Sequence, residues 1–314
     1  MTFFQAVTDF AYHDPVLAAE LLELVPAPTR VVDGTLGDGG HAALFRDRGA
    51  EVLGVDRDPE AIERARHRLG LERIEYHQGS VYDESALGRI ERFAPDLILL
   101  DLGVSSRQFD DDRLGFSFRP GAPLDMRMER EGPSAADVLA EAEAADLADW
   151  FHEYADESRS RKLAAEIVRR RARQPFQTSD DLVNAIRAAL GPRSGPGDFA
   201  RIFQALRIVV NDELDGMARA LPVLRAALRP GGTLAVISYH SGEDRLVKNM
   251  FRDWGSACIC PPHQPVCTCR GRPLGRVLTR RPISAGDAEV VRNPRARSAK
   301  LRVFRTDPDG RAEE

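Results

Sequence analysis

Short apolar runs alternate with amphipathic stretches through roughly the first third of the chain. The apolar runs predict strands at Arg30–Asp33, Glu51–Asp56, Arg73–His77 and Asp96–Asp101. Helical patterns follow the first three runs, at His41–Arg48, Asp58–Leu69 and Glu84–Phe93. Repeated strand–helix units with apolar strands predict a parallel sheet with helices on both faces. We therefore expect an α/β fold built on a doubly wound, mostly parallel, Rossmann-like sheet.

Elements at both ends of the chain extend this sheet. An amphipathic helix is predicted at Asp14–Val25, where Asp14 suits the cap and Pro15 the first turn. After the middle of the chain, the pattern predicts a long helix at Phe199–Leu228, a fifth strand at Thr233–Ser238 and a helix at Glu243–Asp253. The last strand candidates, Arg276–Thr279 and Ala299–Arg305, suit an antiparallel hairpin at the sheet edge.

The strand–helix alternation stops between the fourth and fifth strands. Helical patterns occupy Ser134–Glu141, Glu143–Tyr154, Asp156–Arg173 and Ser179–Leu190, without a convincing strand among them. We therefore predict an all-helical insertion at residues 108–199, and a discontinuous core formed by residues 1–107 and 200–314. Long insertions beside a sheet edge are usually functional, so this one is the predicted substrate domain.

The stretch RVVDGTLGDGGH, Arg30 to His41, predicts a strand that runs through a glycine-rich turn into a helix. Glycines let a ligand approach the backbone closely, so the turn is either a nucleotide-type cofactor site or a plain connection. Asp56 ends the next strand, 19 residues after Gly37, where a carboxylate suits the hydroxyls of a ribose. Asp33, Asp56, the Gln78–Asp83 loop and Asp101 should all meet at the carboxyl edge of the sheet.

Two classes of enzyme have an N-terminal region with such a glycine-rich turn and such acidic strand ends. Gly37, Gly39 and Ala42 fit a loose dinucleotide-binding pattern, which keeps a nicotinamide-dependent oxidoreductase open. The absence of a second glycine loop that opens a helix disfavours this alternative. A third possibility is a non-catalytic RNA-binding factor of ribosome assembly, although such a protein has no need of the acidic strand ends.

Motifs in order along nearly the whole chain resemble the RsmH (MraW) family of S-adenosylmethionine-dependent methyltransferases. The family methylates the exocyclic N4 of a cytosine in small-subunit ribosomal RNA, and its fold is that of the class I methyltransferases. The motifs are HDPVL (13–17), DGTLGDGGH (33–41), DRD (56–58), DLGVSS (101–106), GFSF (115–118), PLDMRM (123–128), FQALR (203–207), SYHS (238–241) and NPRARS (293–298).

The resemblance implies roles for particular residues. Gly39, Gly40 and His41 would contact the cofactor, S-adenosyl-L-methionine, and Asp56 would hold its ribose. Asp101 and Gln108 would flank its adenine or methionine end. A carboxylate at the end of the fourth strand also suits an acceptor for the N4 proton, so Asp101 is the candidate catalytic residue, unless it serves only the cofactor. The chain departs from the family at Val81, where the loop contact usually comes from an aromatic residue, and at Arg107, where proline is expected. A backbone contact at position 81 would survive the first departure.

Aromatic side chains near these motifs are candidates for stacking on the target base. The candidates are Phe109, Phe116, Phe118 and Tyr239, and each of them also suits a hydrophobic core. His240 suits either an active-site donor or a packed histidine at a strand end.

The formal net charge of −5 argues weakly against a nucleic-acid partner, but the local distribution favours one. The stretch from Arg270 to Arg305 contains eleven basic residues and only two acidic ones, Asp287 and Glu289. Its local net charge is therefore 11 − 2 = +9. A second basic cluster lies in the predicted helix between Asp156 and Arg173. Both clusters suit either an RNA surface or a solvated face. The predicted partner is small-subunit ribosomal RNA or the assembled small subunit.

The four cysteines lie within twelve residues, as Cys258-x-Cys260 and Cys267-x-Cys269, with His263 between the pairs. Such a set is not a disulfide framework for a chain of 314 residues; it suits either a tetrahedral zinc ion or free thiols. Neither alternative gives the cysteines a catalytic role. A reducing cytoplasm is the expected compartment, since neither a secretory signal nor a membrane-spanning run is recognisable.

Overall fold

The protein is described from a computed structural model, which covers residues 15–129, 131–261, 264 and 266–309. These residues form two compact units. The first unit comprises the residues up to Leu102, then Leu224–His240, and those from Val247 onward. The second comprises Gly103–Val223 and Ser241–Leu246. Among the helices of this part of the chain, none is both long enough and apolar enough to cross a membrane.

The first unit is built on one sheet of eight strands. They are β1 (Arg30–Asp33), β2 (Glu51–Asp56), β3 (Ile74–Gln78), β4 (Leu97–Asp101), β5 (Thr233–Ser238), β6 (Gly275–Val277), β7 (Ile283–Ser284) and β8 (Lys300–Thr306). Their order is β3-β2-β1-β4-β5-β8-β6, and β7 also pairs with β8. Strands β1 to β5 are parallel, whereas β8 runs antiparallel to β5, β6 and β7. The predicted mostly parallel sheet is thereby confirmed.

Burial explains why the strands of this sheet are so apolar. Every residue of β5 is buried, and in β4 only the terminal Asp101 is partly exposed. Helices cover such a sheet and hide both of its faces from water. The helices of this unit are α1 (Ala18–Leu24), α2 (Gly40–Arg46), α3 (Pro59–Leu69), α4 (Glu84–Phe93), the part of α12 (Ser241–Gly255) from Val247, and α13 (Asp287–Arg292).

The second unit is helical and has its own hydrophobic core. Its helices are α5 (Ser106–Asp110), α6 (Ala135–Glu141), α7 (Ala144–Glu153), α8 (Ser160–Arg171), α9 (Ser179–Leu190), α10 (Pro196–Val210) and α11 (Glu213–Ala227) as far as Val223. Phe151, Leu163 and Ile186 are among the buried residues of this core. The unit extends beyond the predicted insertion at residues 108–199, because it includes α10 and most of α11.

The predicted continuous helix at Phe199–Leu228 is wrong, because the chain breaks between α10 and α11. Asp212 has a left-handed backbone with φ of 50°. The side chain of the preceding Asn211 donates a hydrogen bond to the Met126 carbonyl (2.8 Å) and accepts one from the Met128 amide (2.9 Å). Both contacts are more than 80 residues distant in sequence, so helical periodicity could not reveal the break.

Two other helices begin later than the sequence predicts. Helix α1 begins at Ala18, because Leu17 is left-handed (φ 54°) and its amide donates to Glu289 Oε1 at 2.8 Å. Asp14, the predicted cap, lies outside the described residues. Helix α8 begins at Ser160 instead of Asp156, whose φ of 49° is incompatible with a right-handed helix. Both late starts follow from local backbone conformation that the apolar spacing does not encode.

Candidate active site

Three carboxylates lie at the carboxyl edge of the sheet, each at the end of a parallel strand. Asp33 ends β1, Asp56 ends β2 and Asp101 ends β4. The strand order continues from β1 to β2 on one side and to β4 on the other, so the order reverses beside β1. Ligands of open α/β sheets bind in the crevice at such a reversal. The sheet therefore brings together the acidic strand ends that the sequence predicted.

The glycine-rich turn between β1 and α2 is held against the neighbouring strand ends. Its backbone amides at Gly34 and Leu36 donate to the carbonyls of Leu99 and Val55, both at 2.9 Å. Gly39 has φ of 76°, and a Cβ atom there would lie 2.7 Å from the Leu69 side chain. The positive φ and the close Leu69 side chain both favour glycine at position 39.

Asp56 holds the glycine turn in place. Its Oδ2 accepts a hydrogen bond from the Gly37 amide (2.7 Å), and its Oδ1 accepts one from the Asp58 amide (2.8 Å). Burial raises the pKa of Asp56 above its ordinary value, although these two amides act in the opposite direction. Asp58 caps α3 by accepting from the Glu60 amide at 2.9 Å. Each Asp56 oxygen keeps further acceptor capacity for a ligand hydroxyl.

Asp33 is a buried carboxylate with too few donors. It is only 1% exposed, and its Oδ1 accepts a long hydrogen bond of 3.4 Å from the Thr35 amide. Its Oδ2 is buried and has no hydrogen-bond partner among the described residues. Burial raises the pKa of Asp33 to about 6, although nearby His41 acts to lower it. Orphaned acceptors of this kind are rare in native proteins and indicate a site for a donor or a cation.

Asp101 is the centre of a polar cluster. Tyr239, just beyond β5, donates its hydroxyl proton to Asp101 Oδ1 at 2.8 Å. On the other side, His41 Nδ1 lies 3.7 Å from Oδ2. His41 Nε2 lies 2.9 Å from the Val16 carbonyl, which can only accept, so this nitrogen carries a proton. Finally, the Asp101 amide donates to Thr35 Oγ1 at 2.6 Å. The carboxylate is therefore fixed in position and partly exposed at the crevice.

Sequence reasoning did not anticipate the pairing of Tyr239 with Asp101, since it offered Tyr239 as a stacking surface. The signal was present in the strand register. Strands β4 and β5 are parallel neighbours, and Asp101 stands opposite Ile237. Tyr239 follows Ile237 by two positions, so it lies beyond the end of β5 and beside Asp101 at the end of β4.

Two other predicted cofactor residues have structural roles of their own. Val81 is buried, and its side chain faces Gly34, so any polar contact at this position must come from the backbone. Gln108, in the second unit, forms a capping box with Ser105 at the start of α5. The Gln108 side-chain oxygen Oε1 accepts from the Ser105 backbone amide (3.0 Å), and the Gln108 backbone amide donates to Ser105 Oγ (3.1 Å). Cofactor contacts at Val81 and Gln108 remain predictions.

Two of the predicted stacking aromatics belong to the core of the second unit. The Phe118 ring meets the rings of Phe199 and Phe203 edge-on, with centroids 5.8 and 6.0 Å apart. Phe116 is buried as well. Phe109 is different, because 39% of it is exposed. Of the three phenylalanine candidates, Phe109 is thus the exposed one.

The chemistry of this edge suits a cationic cofactor with hydroxyl groups. Asp33 and Asp101 favour a positive charge, such as a sulfonium or an ammonium group, and Asp56 can accept from a ribose. The same carboxylates would repel the pyrophosphate of a dinucleotide. Together, the strand order and the acidic edge define the chain as a class I methyltransferase.

Comparison with known proteins narrows this class. The chain belongs to the MraW methylase family, whose sequence model matches residues 10–307. Its relatives include proteins named Ribosomal RNA small subunit methyltransferase H from Gemmatimonas aurantiaca and Rubrobacter xylanophilus. The first is 56% identical over 94% of this chain and 95% of the relative. The second is 48% identical over 94% of this chain and 96% of the relative. Membership in this methylase family confirms S-adenosyl-L-methionine as the predicted cofactor.

The raised pKa of Asp33 leads to a prediction about stability without the cofactor. We expect Asp33→Asn to stabilise the protein at pH 8 by about 3 kcal/mol, because about two pKa units are involved at 1.36 kcal/mol each. The wild-type penalty grows as pH rises from the unfolded pKa to the folded one, so the gain at pH 5 should be about half as large. Urea unfolding at both pH values measures it.

The control for this experiment is Asp149→Asn, which removes the same charge from an exposed position of α7. It should leave the free energy of unfolding nearly unchanged at both pH values. A gain for Asp33→Asn that does not depend on pH, or a loss at pH 8, would show that the Asp33 charge carries no burial penalty.

Proposed function

We propose that this protein transfers a methyl group from S-adenosyl-L-methionine to the exocyclic N4 of a cytosine in small-subunit ribosomal RNA, in the cytoplasm. The proposal is supported by membership of the MraW methylase family and by relatives that are named for small-subunit ribosomal RNA. The structural observation that carries it is the partly exposed Asp101 carboxylate, fixed by Tyr239 at the carboxyl edge of the sheet.

Residues at the carboxyl edge would contact the ribose and the methionine end of the cofactor. Asp56 would accept hydrogen bonds from the ribose hydroxyls, while Gly39, Gly40 and His41 would bring the turn backbone close to the bound molecule. The orphaned Oδ2 of Asp33 would receive a donor or a positive charge from its methionine end. Val81 would contribute through its backbone.

The target amine needs help from the protein, because the lone pair of cytosine N4 is delocalised into the ring. S-adenosyl-L-methionine supplies an electrophilic methyl group when bound. Asp101 would accept a hydrogen bond from N4–H, turn the amine toward the methyl carbon and take up the proton released when the nitrogen–carbon bond forms. Tyr239, by donating to the other oxygen, would hold Asp101 in one orientation.

The target cytosine must leave its stack to reach a pocket at the sheet edge. An accessible aromatic ring favours such an unstacked base, because the ring takes the place of the neighbouring bases in the stack.

The RNA backbone would be bound by exposed cations that the fold does not already use. In the first unit, Arg276, Arg280, Arg281, Arg292 and Arg297 are exposed. In the second unit, Arg161, Lys162 and Arg173 are exposed, whereas Arg169 and Arg170 pair with Glu166 at 2.7 and 2.6 Å. Arg171 donates to the carbonyls of Leu139 and Ala142. Only part of each basic cluster is thus available to phosphates.

The first test is methyl transfer from labelled S-adenosyl-L-methionine to small ribosomal subunits that lack the modification. We expect one N4-methylated cytosine, identified by nuclease digestion and mass spectrometry. Naked ribosomal RNA, assayed in parallel, separates the two substrate forms. A methyl group on another base or atom would contradict the proposed target. Cofactor binding without transfer to either substrate would favour a non-catalytic assembly factor.

Asp101→Asn should lower turnover at saturating substrates by about 100-fold or more, since an amide cannot take up the proton. Tyr239→Phe should cost about tenfold, the worth of roughly one hydrogen bond to a charged group. Subunit binding, measured by filter retention, should stay within about twofold for both variants, because phosphate contacts dominate affinity.

Asp149→Asn, which removes an exposed carboxylate of α7, is the matched control and should retain wild-type turnover. Wild-type turnover in Asp101→Asn would exclude Asp101 from the chemistry. Equal losses of turnover and of subunit affinity would assign it to substrate binding instead.

The electrostatic part of the proposal predicts a change in salt dependence. The NPRARS motif first suggests Arg295 and Arg297, but Arg295 is half-buried, so Arg292 is the better partner for Arg297. Reversal of both charges, to Glu, should weaken RNA binding and reduce the slope of log K against log salt by about 0.7 to 0.9 for each phosphate that is no longer neutralised. Reversal of Arg92 and Arg193 changes the net charge equally and should leave the slope unchanged. Equal slopes for both double variants would place the RNA elsewhere.

A further inference from the structure

The segment between α12 and β6 gathers all four cysteines of the chain into one cluster. The Sγ atom of Cys267 lies 3.8 Å from that of Cys258, 3.9 Å from that of Cys260 and 3.5 Å from that of Cys269. Cys269 Sγ lies 3.8 Å from Cys258 Sγ. All four sulfur atoms are within 4.8 Å of one another. Residues from the two Cys-x-Cys pairs therefore converge on one point.

These separations match a zinc–thiolate tetrahedron. With a zinc–sulfur bond of about 2.3 Å, the sulfur atoms of a tetrahedral site lie about 3.8 Å apart. A disulfide requires about 2.05 Å between its sulfurs, far less than the shortest separation of 3.5 Å. The cluster thus has the dimensions of a four-sulfur metal site, and its sulfurs are not paired as disulfides.

Burial does not account for the cluster. Cys258 and Cys267 are exposed, and Cys260 and Cys269 are half-buried, so the hydrophobic effect does not hold the four thiols together. Thiol–thiol hydrogen bonds are weak, because S–H is a poor donor and sulfur a poor acceptor. An ion that binds all four sulfurs would supply the missing attraction.

A backbone amide is already directed at one of the sulfur atoms. The Ile259 amide donates to Cys269 Sγ at 3.4 Å. Such N–H donors stabilise thiolates, which are the form of cysteine that binds a metal.

We propose that Cys258, Cys260, Cys267 and Cys269 bind one zinc ion in a closed, structural site. Four protein ligands leave no open coordination position, so the ion would order the segment instead of taking part in methyl transfer. The inference does not depend on the proposed function.

Other contacts show where the ordered segment would attach. Arg270 donates to the carbonyls of Asp253, Ser256 and Arg272, and the Leu274 amide donates to the Trp254 carbonyl at 2.8 Å. These bonds join both ends of the cysteine segment to the end of α12. A zinc ion bound by the four cysteines would add cross-links within the segment to the hydrogen bonds that join its ends to α12.

Metal analysis of the full chain, expressed without a tag and purified under reducing conditions, tests the proposal. We expect about one zinc per chain by mass spectrometry of the metal. After zinc removal, cobalt should give the visible absorption bands of a tetrahedral tetrathiolate. Protein without metal that does not take up zinc or cobalt would overturn the proposal, as would a native iron ion or two disulfides found by thiol titration.

The variant Cys258→Ser with Cys269→Ser should lose more than about nine-tenths of the metal, whereas Thr268→Ala should keep it. Thr268 lies between two ligands, and its substitution leaves the backbone amide in place. Hydrogen exchange gives a second measurement: the double variant should exchange faster at residues 256–274 and normally in the β-sheet. Full zinc content in the double variant, or the same exchange as wild type in the segment, would contradict the assignment.

Discussion

Carboxylates at the carboxyl edge of a parallel sheet need hydrogen-bond donors, and each of the three acids at this edge obtains them differently. Asp56 receives two backbone amides, from Gly37 and Asp58. Asp101 receives the hydroxyl of Tyr239. Asp33 receives only a long bond from the adjacent turn, and its burial raises its pKa to about 6. The bond from the Gly37 amide to Asp56 fixes the position of the glycine turn. The unpaired acceptor oxygen of Asp33 favours a cationic ligand.

The same arrangement relates stability to function. A charge that is buried without partners destabilises the folded protein until a ligand supplies them. A ligand that supplied such partners would release this penalty. This is why one substitution, at Asp33, is expected to stabilise the protein without the cofactor. Asp101 differs, because Tyr239 donates to one of its oxygens and its side chain is partly exposed.

Features that depend on local pattern could be read from the sequence, and features that depend on distant contacts could not. The apolar runs located the strands, and their polar last residues located Asp33, Asp56 and Asp101. The break at Asn211 depends on Met126 and Met128, which periodicity cannot identify. The bond between Tyr239 and Asp101 depends on the register of two strands that are separated by the whole helical unit. The core position of Phe118 likewise depends on Phe199 and Phe203.

Charge counted along the sequence also differs from charge presented at a surface. The basic stretch from Arg270 to Arg305 has a formal balance of +9, but several of its members are structural. Arg302 is buried, Arg305 donates to the Leu24 carbonyl, and Arg270 anchors the cysteine segment. The positive field that RNA would meet is therefore smaller and more localised than the count suggests. A closed tetrathiolate zinc site, which carries a net charge of about −2, would reduce it further near the cysteine segment. The exposed arginines outside that segment, such as Arg292 and Arg297, are thus the ones on which the salt dependence of binding should rest.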